Sequence, residues 1–184
     1  MDIRIGEHAF TLRPLTEDEY DRAFDARRSE GLPASDRITI YSGVTSPPAE
    51  ALDALFKRRP ALKRLLASEV ARLSGQDDEA RALDAAIDPP EALAAAGQPD
   101  AVGCVIGGQP YVLRPPTEDE YDAMTMHAGN SPSAALGNLV RTCLLYPAGE
   151  AADPVIEARP GHKAHLYNMV QEAAGAGLEV VRGK

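Results

Sequence analysis

The sequence predicts an α+β protein that is mainly helical and contains one module twice. Three observations indicate this: a long internal repeat, alternating apolar residues before each copy, and amphipathic helical spacing after it. We expect each copy to be a β-hairpin followed by about three helices, and the copies to be joined by an acidic, alanine-rich helical linker. The predicted boundaries are residues 1–75 for the first module, 76–100 for the linker and 101–184 for the second module.

The repeated stretch reads L-R-P-x-T-E-D-E-Y-D and occupies residues 12–21 and 113–122. In a window of twelve residues that starts two positions earlier, nine residues are identical at a shift of 101. Further along, Arg-Pro at 59–60 matches Arg-Pro at 159–160 at a shift of 100. A slip of one residue between matching blocks is expected of a duplicated module that lost one residue from a loop.

Each copy begins with a pattern typical of a hairpin. Polar and apolar residues alternate in 2–5 and again in 10–12, with Gly6-Glu7 available for the turn. The second copy repeats this arrangement at 102–106 and 111–113. The Arg-Pro pair that follows should end the second strand, because proline cannot donate a hydrogen bond to a sheet.

The motif itself predicts the start of a helix. A threonine followed three residues later by glutamate forms a capping box, and acidic side chains in the first turn are favoured by the helix dipole. These two effects explain T-E-D-E without any catalytic role. The motif residues are Arg13, Pro14, Thr16, Glu19 and Tyr20 in the first copy, and Arg114, Pro115, Thr117, Glu120 and Tyr121 in the second.

The middle of the two copies differs. Gly31-Leu32-Pro33 should end the first helix, and residues 38–41 could form a short strand, whereas residues 133–146 have helical spacing. A short helix is predicted over 49–58. In the linker, 79–87 and 91–96 are predicted to be helical.

The last helix of each copy should begin at Pro60 or Pro160 and end at Gly75 or Gly175, since proline favours a first turn and glycine a C-terminal stop. Its apolar stripe is the surface we expect to contact a protein partner, if it is not used to pack the copies together or to form a homo-oligomer. The candidate contact residues are Leu62, Leu65, Leu66, Val70, His162, His165, Leu166 and Val170.

Composition and charge argue against several classes of function. The net charge is −9, and residues 76–100 contribute most of it, with seven acidic side chains against one basic. No basic stripe suits a nucleic-acid backbone, and no apolar run suits a signal peptide or a membrane span. The two cysteines, Cys104 and Cys143, lie in apolar surroundings and should be small buried side chains.

The candidate reactive groups are better explained as structural. Glu17, Asp18 and Glu19 should be solvated alike, whereas catalytic carboxylates need environments that separate their pKa values. His162 and His165 lie one helical turn apart but replace Leu62 and Leu65 of the first copy, and no further ligand completes a metal site. We therefore predict no enzyme activity, no metal and no cofactor.

The order of hairpin, R-P-x-T-x-x-E-Y, helix, apolar segment near Tyr-Pro and R-P-[A/G]-helix-Gly resembles the small tail assembly chaperones of long-tailed bacteriophages and prophages. The resemblance covers residues 3–75 and 102–177, although that family usually has a single module. It implies a protein without catalytic residues that keeps tape-measure or tail-tube proteins soluble in the cytoplasm of the bacterial host. The alternative is a structural adaptor of the tail or baseplate, in which case the protein would be part of the virion tail.

Overall fold

The computed structural model describes residues 1–129 and 131–175, and the chain is α+β and mainly helical, as predicted. Residues 176–184 of the predicted second module lie outside the described residues. The chain divides into two compact units. Unit 1 comprises residues 1–78 and 154–162, and unit 2 comprises residues 79–153 and the residues from 163 onward.

Unit 1 contains an antiparallel sheet with strand order β1-β2-β3, formed by β1 (Asp2–Ile5), β2 (His8–Leu12) and β3 (Val44–Ser46). The predicted hairpin is confirmed, with Ile5 opposite His8 and a turn at Gly6, whose φ of 63° suits glycine. Core side chains on β2 alternate with more exposed ones, so one face of the sheet lies on the helices.

Four helices complete the first half of the chain: α1 (Glu17–Ser29), α2 (Leu32–Gly43), α3 (Ala49–Arg58) and α4 (Ala61–Leu73). The helix predicted over 49–58 is confirmed at both ends. The core of unit 1 consists of large apolar side chains from both strands and helices. They are Phe10, Leu12, Leu15, Tyr20, Ile40, Val44, Leu52, Phe56, Leu62, Leu66 and Val70, with Ala67 among them.

The strand expected over 38–41 is wrong, because these residues lie inside α2. Thr39, Ile40 and Gly43 form the buried face of α2, which packs against α1 and α4. Packing of that face outweighs the strand preference of β-branched residues. Gly43 is needed for it: a Cβ at this position would lie 2.2 Å from the Val70 Cγ1 atom.

Unit 2 contains a four-stranded antiparallel sheet in the order β4-β5-β6-β7. Its strands are β4 (Ala80–Ala82), β5 (Val102–Ile106), β6 (Gln109–Leu113) and β7 (Leu144–Tyr146). The hairpin predicted for the second copy is the β5–β6 pair. The Tyr146–Pro147 peptide bond after β7 is cis, as is Ser46–Pro47 after β3.

Among the described residues, the second half contains five α-helices. They are α5 (Pro90–Ala96), α6 (Glu118–His127), α7 (Pro132–Cys143), α8 (Asp153–Ala158) and α9 (His162–Ala173), with a 3-10 turn at Gly149–Ala151 before α8. The last four follow the order of α1–α4, and the first, α5, precedes the β5–β6 hairpin and has no counterpart in the first half. The helical spacing predicted over 133–146 is confirmed by α7 for residues 133–143, whereas Leu144–Tyr146 form β7 and pair with β6 instead of continuing the helix. The helix predicted over 91–96 is confirmed by α5.

The helix predicted over 79–87 is wrong. Residues 80–82 form β4, which pairs with β5, so the segment between the hairpins extends the sheet of unit 2. Asp84 and Asp88 explain why a helix does not continue: their carboxylates accept hydrogen bonds from the backbone N–H groups of Ala86 and Asp84. Such local bonds compete with helical ones. α5 then packs Ala92 and Ala95 against Val112 of the sheet.

Candidate protein-binding site

The repeated motif forms a bidentate ion pair at the start of α1. Arg13 Nη2 and Nη1 donate to Glu19 Oε1 and Oε2 at 2.7 and 2.8 Å, and the Thr16 N–H donates to Oε2 at 2.9 Å. The Thr16 hydroxyl accepts from the Glu19 N–H, which completes the predicted capping box. Arg13 donation lowers the pKa of Glu19 to about 2.

The second copy has the same contacts. Arg114 donates to Glu120 at 2.7 and 2.8 Å, the Thr117 N–H donates to Glu120 at 2.8 Å, and the pKa of Glu120 is again lowered to about 2, chiefly by Arg114. We call these arrangements the Arg–Glu clamps. The backbone N–H of Arg13 donates to the carbonyl of Gly43, and that of Arg114 to the carbonyl of Cys143. These bonds join the motif to the end of α2 in the first half and of α7 in the second. The motif is therefore a device that fixes a strand-to-helix junction.

The two motif tyrosines differ in burial. Tyr20 is buried in the core of unit 1, and this burial raises its pKa to about 12. Tyr121 is partly buried, and its hydroxyl donates to Gln171 Oε1 at 2.9 Å. Matching positions in the two copies are thus used differently, although both tyrosines follow the same capping box.

Most of the candidate contact residues are buried. Leu62, Leu66 and Val70 belong to the core of unit 1, while Leu65 is 50% exposed. Among the candidates of the second copy, His162, Leu166 and Val170 are buried, and His165 is partly buried. Of these eight candidates, Leu65 alone offers a large exposed apolar side chain for a partner.

His162 lies against the end of α4 in unit 1. Its Nε2 atom is 2.8 Å from Asp78 Oδ2, and Arg159 Nη1 reaches the same oxygen at 3.3 Å. The Gly161 N–H donates to the Ser74 carbonyl at 2.8 Å, and a Cβ on Gly161 would lie 2.4 Å from the Gln76 nitrogen. Residues 154–162 are thus held against the rest of unit 1 by a backbone hydrogen bond from Gly161 and by the side-chain hydrogen bond between His162 and Asp78.

A recess of about 630 Å³ opens on unit 1 between α2, α3 and the start of α4. Two rows of α2 residues spaced four apart line it, one from Leu32 through Asp36 to Ile40 and one from Pro33 through Arg37 to Tyr41. We call this surface the α2–α4 groove. Its apolar lining residues are Leu32, Pro33, Ile40, Tyr41, Phe56 and Pro60, and its charged ones are Asp36, Arg37, Asp53, Lys57, Lys63 and Arg64.

The charges around the α2–α4 groove are unequal, with four cations against two carboxylates. Tyr41 donates its hydroxyl hydrogen to Asp53, and burial raises the pKa of Asp36. Two of the cations lie over aromatic rings: the Arg37 guanidinium is 5.9 Å from the centre of the Tyr41 ring, and the Lys63 ammonium is 5.5 Å from the centre of the Phe56 ring. The groove therefore combines an apolar floor with a net positive rim.

The sequence analysis does not predict the α2–α4 groove, because it places residues 38–41 in a strand and not in a helix. Read as a helix, the same residues place Leu32, Asp36 and Ile40 on one line, since side chains four apart share a helix face. The spacing of Leu32, Pro33, Ile40 and Tyr41 was the available signal.

Both cysteines are buried as predicted, and burial raises the pKa of each thiol to about 11, which keeps them protonated at neutral pH. Among residues 1–129 and 131–175, no group of three or more His, Cys, Asp or Glu side chains is placed to hold a metal ion. Over the same ranges, no helix has the length and apolar character needed to cross a bilayer.

Comparison with protein families, with curated proteins and with solved structures finds no match to this chain.

Proposed function

We propose that this chain is a non-enzymatic protein of the tail assembly chaperone type, which binds a tape-measure or tail-tube protein in the bacterial cytoplasm while a phage tail is built. The observation on which this rests is the α2–α4 groove, an open recess with an apolar floor and a charged rim, since grooves with an apolar floor commonly receive an amphipathic helix of another protein. The motif resemblance supplies the identity of the partner.

We further propose that the chain arose by tandem duplication of one module. The nine identities in the repeated stretch support this, together with the paired capping boxes, the two Arg–Glu clamps and the parallel order of strands and helices in the two halves. Under this proposal the two halves have diverged since the duplication, and the additional strand β4 in the second sheet is one difference between them.

A structural adaptor of the tail or baseplate is the second candidate. The division of the chain into two compact units favours it, since a protein with two units can bridge two subunits. The two functions differ in their end point: a chaperone leaves before the particle is finished, and an adaptor stays in it.

Co-expression tests the first proposal. The tape-measure protein should be soluble when co-expressed with this chain and insoluble without it. The test variant is Leu32→Glu with Tyr41→Ala, because both side chains line the groove and are 38% and 36% exposed. Leu65→Asp is the matched control, since Leu65 is also exposed but lies outside the groove.

We expect the groove variant to lose the soluble complex and the Leu65→Asp variant to keep it, with the far-ultraviolet circular dichroism of both unchanged. If only Leu65→Asp loses the complex, the binding surface is the exposed face of α4 around Leu65 and not the α2–α4 groove. If the tape-measure protein is soluble by itself and this chain is present in stoichiometric amount in finished particles, the chaperone proposal is wrong and the adaptor takes its place.

A further inference from the structure

We infer that the occupant of the α2–α4 groove is an amphipathic helix with an acidic face, presented by another protein. The inference rests on the proposed protein-binding function and specifies the chemistry of the partner. Three features of the groove support it: its length, the arrangement of its lining side chains, and the sign of the charges on its rim.

The groove has the dimensions of a helix-binding site. Along α2 its lining extends from Leu32 to Tyr41, which spans about 14 Å at the rise of an α-helix. This length accommodates between two and three turns of a second helix. The lining side chains of α2 form two rows spaced four residues apart, and such rows create the ridges between which another helix inserts its own.

The floor selects apolar anchors. Phe56 is buried below the groove, whereas Leu32 and Tyr41 are each more than a third exposed, so a partner would remove apolar surface from water. A phosphate backbone would gain nothing from this floor, since it binds through cations alone. An amphipathic helix with leucine or phenylalanine on one face matches it.

The rim selects acidic flanks. Within the described residues, Arg37, Lys57, Lys63 and Arg64 have no carboxylate oxygen within ion-pair distance, although the charge of Arg64 acts on the nearby Asp36 carboxyl. Four cations against the carboxylates of Asp36 and Asp53 leave the rim with a net positive charge that a partner would meet. The aromatic rings of Tyr41 and Phe56 lie beneath two of these cations and hold them at the groove. Carboxylates on the flanks of a bound helix would meet these cations, and basic flanks would be repelled.

The test uses the full chain and two fluorescent peptides of about 18 residues, or about five helical turns. Both peptides have leucines at i, i+4, i+7 and i+11; the acidic peptide has glutamates on its remaining faces and the basic peptide has lysines. Fluorescence anisotropy at low salt should give binding about tenfold or more tighter for the acidic peptide than for the basic one. Rising salt should weaken binding of the acidic peptide.

Two variants with the same change of net charge locate the site. Lys63→Glu with Arg64→Glu alters the rim, and Arg28→Glu with Arg58→Glu alters exposed arginines that do not line the groove. The rim variant should lose about tenfold or more in affinity for the acidic peptide, and the control variant should lose about twofold at most. Circular dichroism should give the same helix content for both.

The inference is overturned if neither peptide binds, if the basic peptide binds as tightly as the acidic one, or if the control variant loses as much affinity as the rim variant. Binding of a single-stranded DNA oligonucleotide that exceeds the acidic peptide and is lost in the rim variant would also overturn it, in favour of nucleic acid. A rim variant that still keeps the tape-measure protein soluble would refute the acidic helix while leaving the chaperone proposal intact. If the wild-type chain binds the acidic peptide as expected but does not keep the tape-measure protein soluble on co-expression, the chaperone proposal is refuted and the acidic helix is retained.

Discussion

The Arg–Glu clamp makes a quantitative prediction for Glu19→Gln. The glutamine keeps the shape of the side chain but removes the charge and places an amide N–H₂ group where a carboxylate oxygen accepts from Arg13 or from the Thr16 N–H. Glu120→Gln makes the same change in the second clamp. Asp18→Asn is the matched control, because Asp18 is an exposed acidic residue of the same first turn.

The magnitude follows from the pKa of Glu19, which falls from 4.5 to about 2 in the folded protein. At 1.36 kcal/mol per pKa unit this sets an upper limit of about 3 kcal/mol. The Arg13 side chain is 40% exposed, and solvent screens the pair. We therefore expect Glu19→Gln to lower the free energy of unfolding by about 1–2 kcal/mol at neutral pH, and Asp18→Asn by about 0.5 kcal/mol through the helix dipole.

The sign of the pH dependence is fixed by the direction of the pKa shift. Because the folded-state pKa of Glu19 is lower than its unfolded value, the clamp stabilises the fold fully above pH 4.5 and loses this contribution as the pH falls toward 2. The difference in unfolding free energy between wild type and Glu19→Gln should therefore be greatest near neutral pH and should shrink below pH 4.5.

Urea unfolding at neutral and at acidic pH, followed by circular dichroism, measures these differences. If the two units unfold in separate transitions, Glu19→Gln should move only that of unit 1 and Glu120→Gln only that of unit 2. Equal effects of Glu19→Gln and Asp18→Asn, or a difference that does not change with pH, would refute the clamp as the source of the stability.

Two further substitutions test the packing at glycines, and a third tests the helix cap. Gly43→Ala should destabilise unit 1 by about 1–3 kcal/mol through overpacking against Val70, and Gly43→Ala with Val70→Ala should cost less than the two single changes together in urea unfolding. Gly161→Ala should release residues 154–162, because the added methyl group would meet the Gln76 backbone; faster amide exchange at 154–162 would be the readout. Thr16→Ala should cost about 1 kcal/mol, and a change near zero in thermal unfolding would contradict the capping role.

Local signals in the sequence predicted the fold where short-range interactions decide it. The capping box needs only Thr16 and Glu19, and the hairpin needs only alternating side chains and a turn at Gly6, so both were predicted to within a residue or two. The helix over 49–58 was equally local. These elements contain most of their own determinants.

The remaining features depend on contacts that are distant in the chain. The strand preference of 38–41 is overridden by packing of α2 on α4, which the sequence does not reveal. The contact between His162 and Asp78 joins residues 84 positions apart. Of the predicted apolar stripe of α4, Leu62, Leu66 and Val70 lie in the core, whereas Leu65 is 50% exposed. Which of the neighbours Leu65 and Leu66 faces solvent depends on the orientation of the helix in the unit, and this orientation is set by contacts distant in the chain.

The cations of the α2–α4 groove have few counterparts in the second half of the chain. α2 and α7 each have 12 residues and each precede a three-residue strand, so positions correspond at a shift of 100. At this shift Arg37, Lys57 and Arg64 become Gly137, Glu157 and Ala164, and Lys63 becomes Lys163, which is buried.

The residues of the Arg–Glu clamps and capping boxes, by contrast, are shared by the two halves and hold the strand-to-helix junction in each. Under the proposed duplication, the junction that supports folding is retained in both halves, while the cations of the proposed binding groove are not. The cationic rim therefore exists only in the first half of the described chain. For this reason we expect one acidic helix to bind per chain rather than two, and a titration that saturates at two equivalents would assign an equal site to the second half.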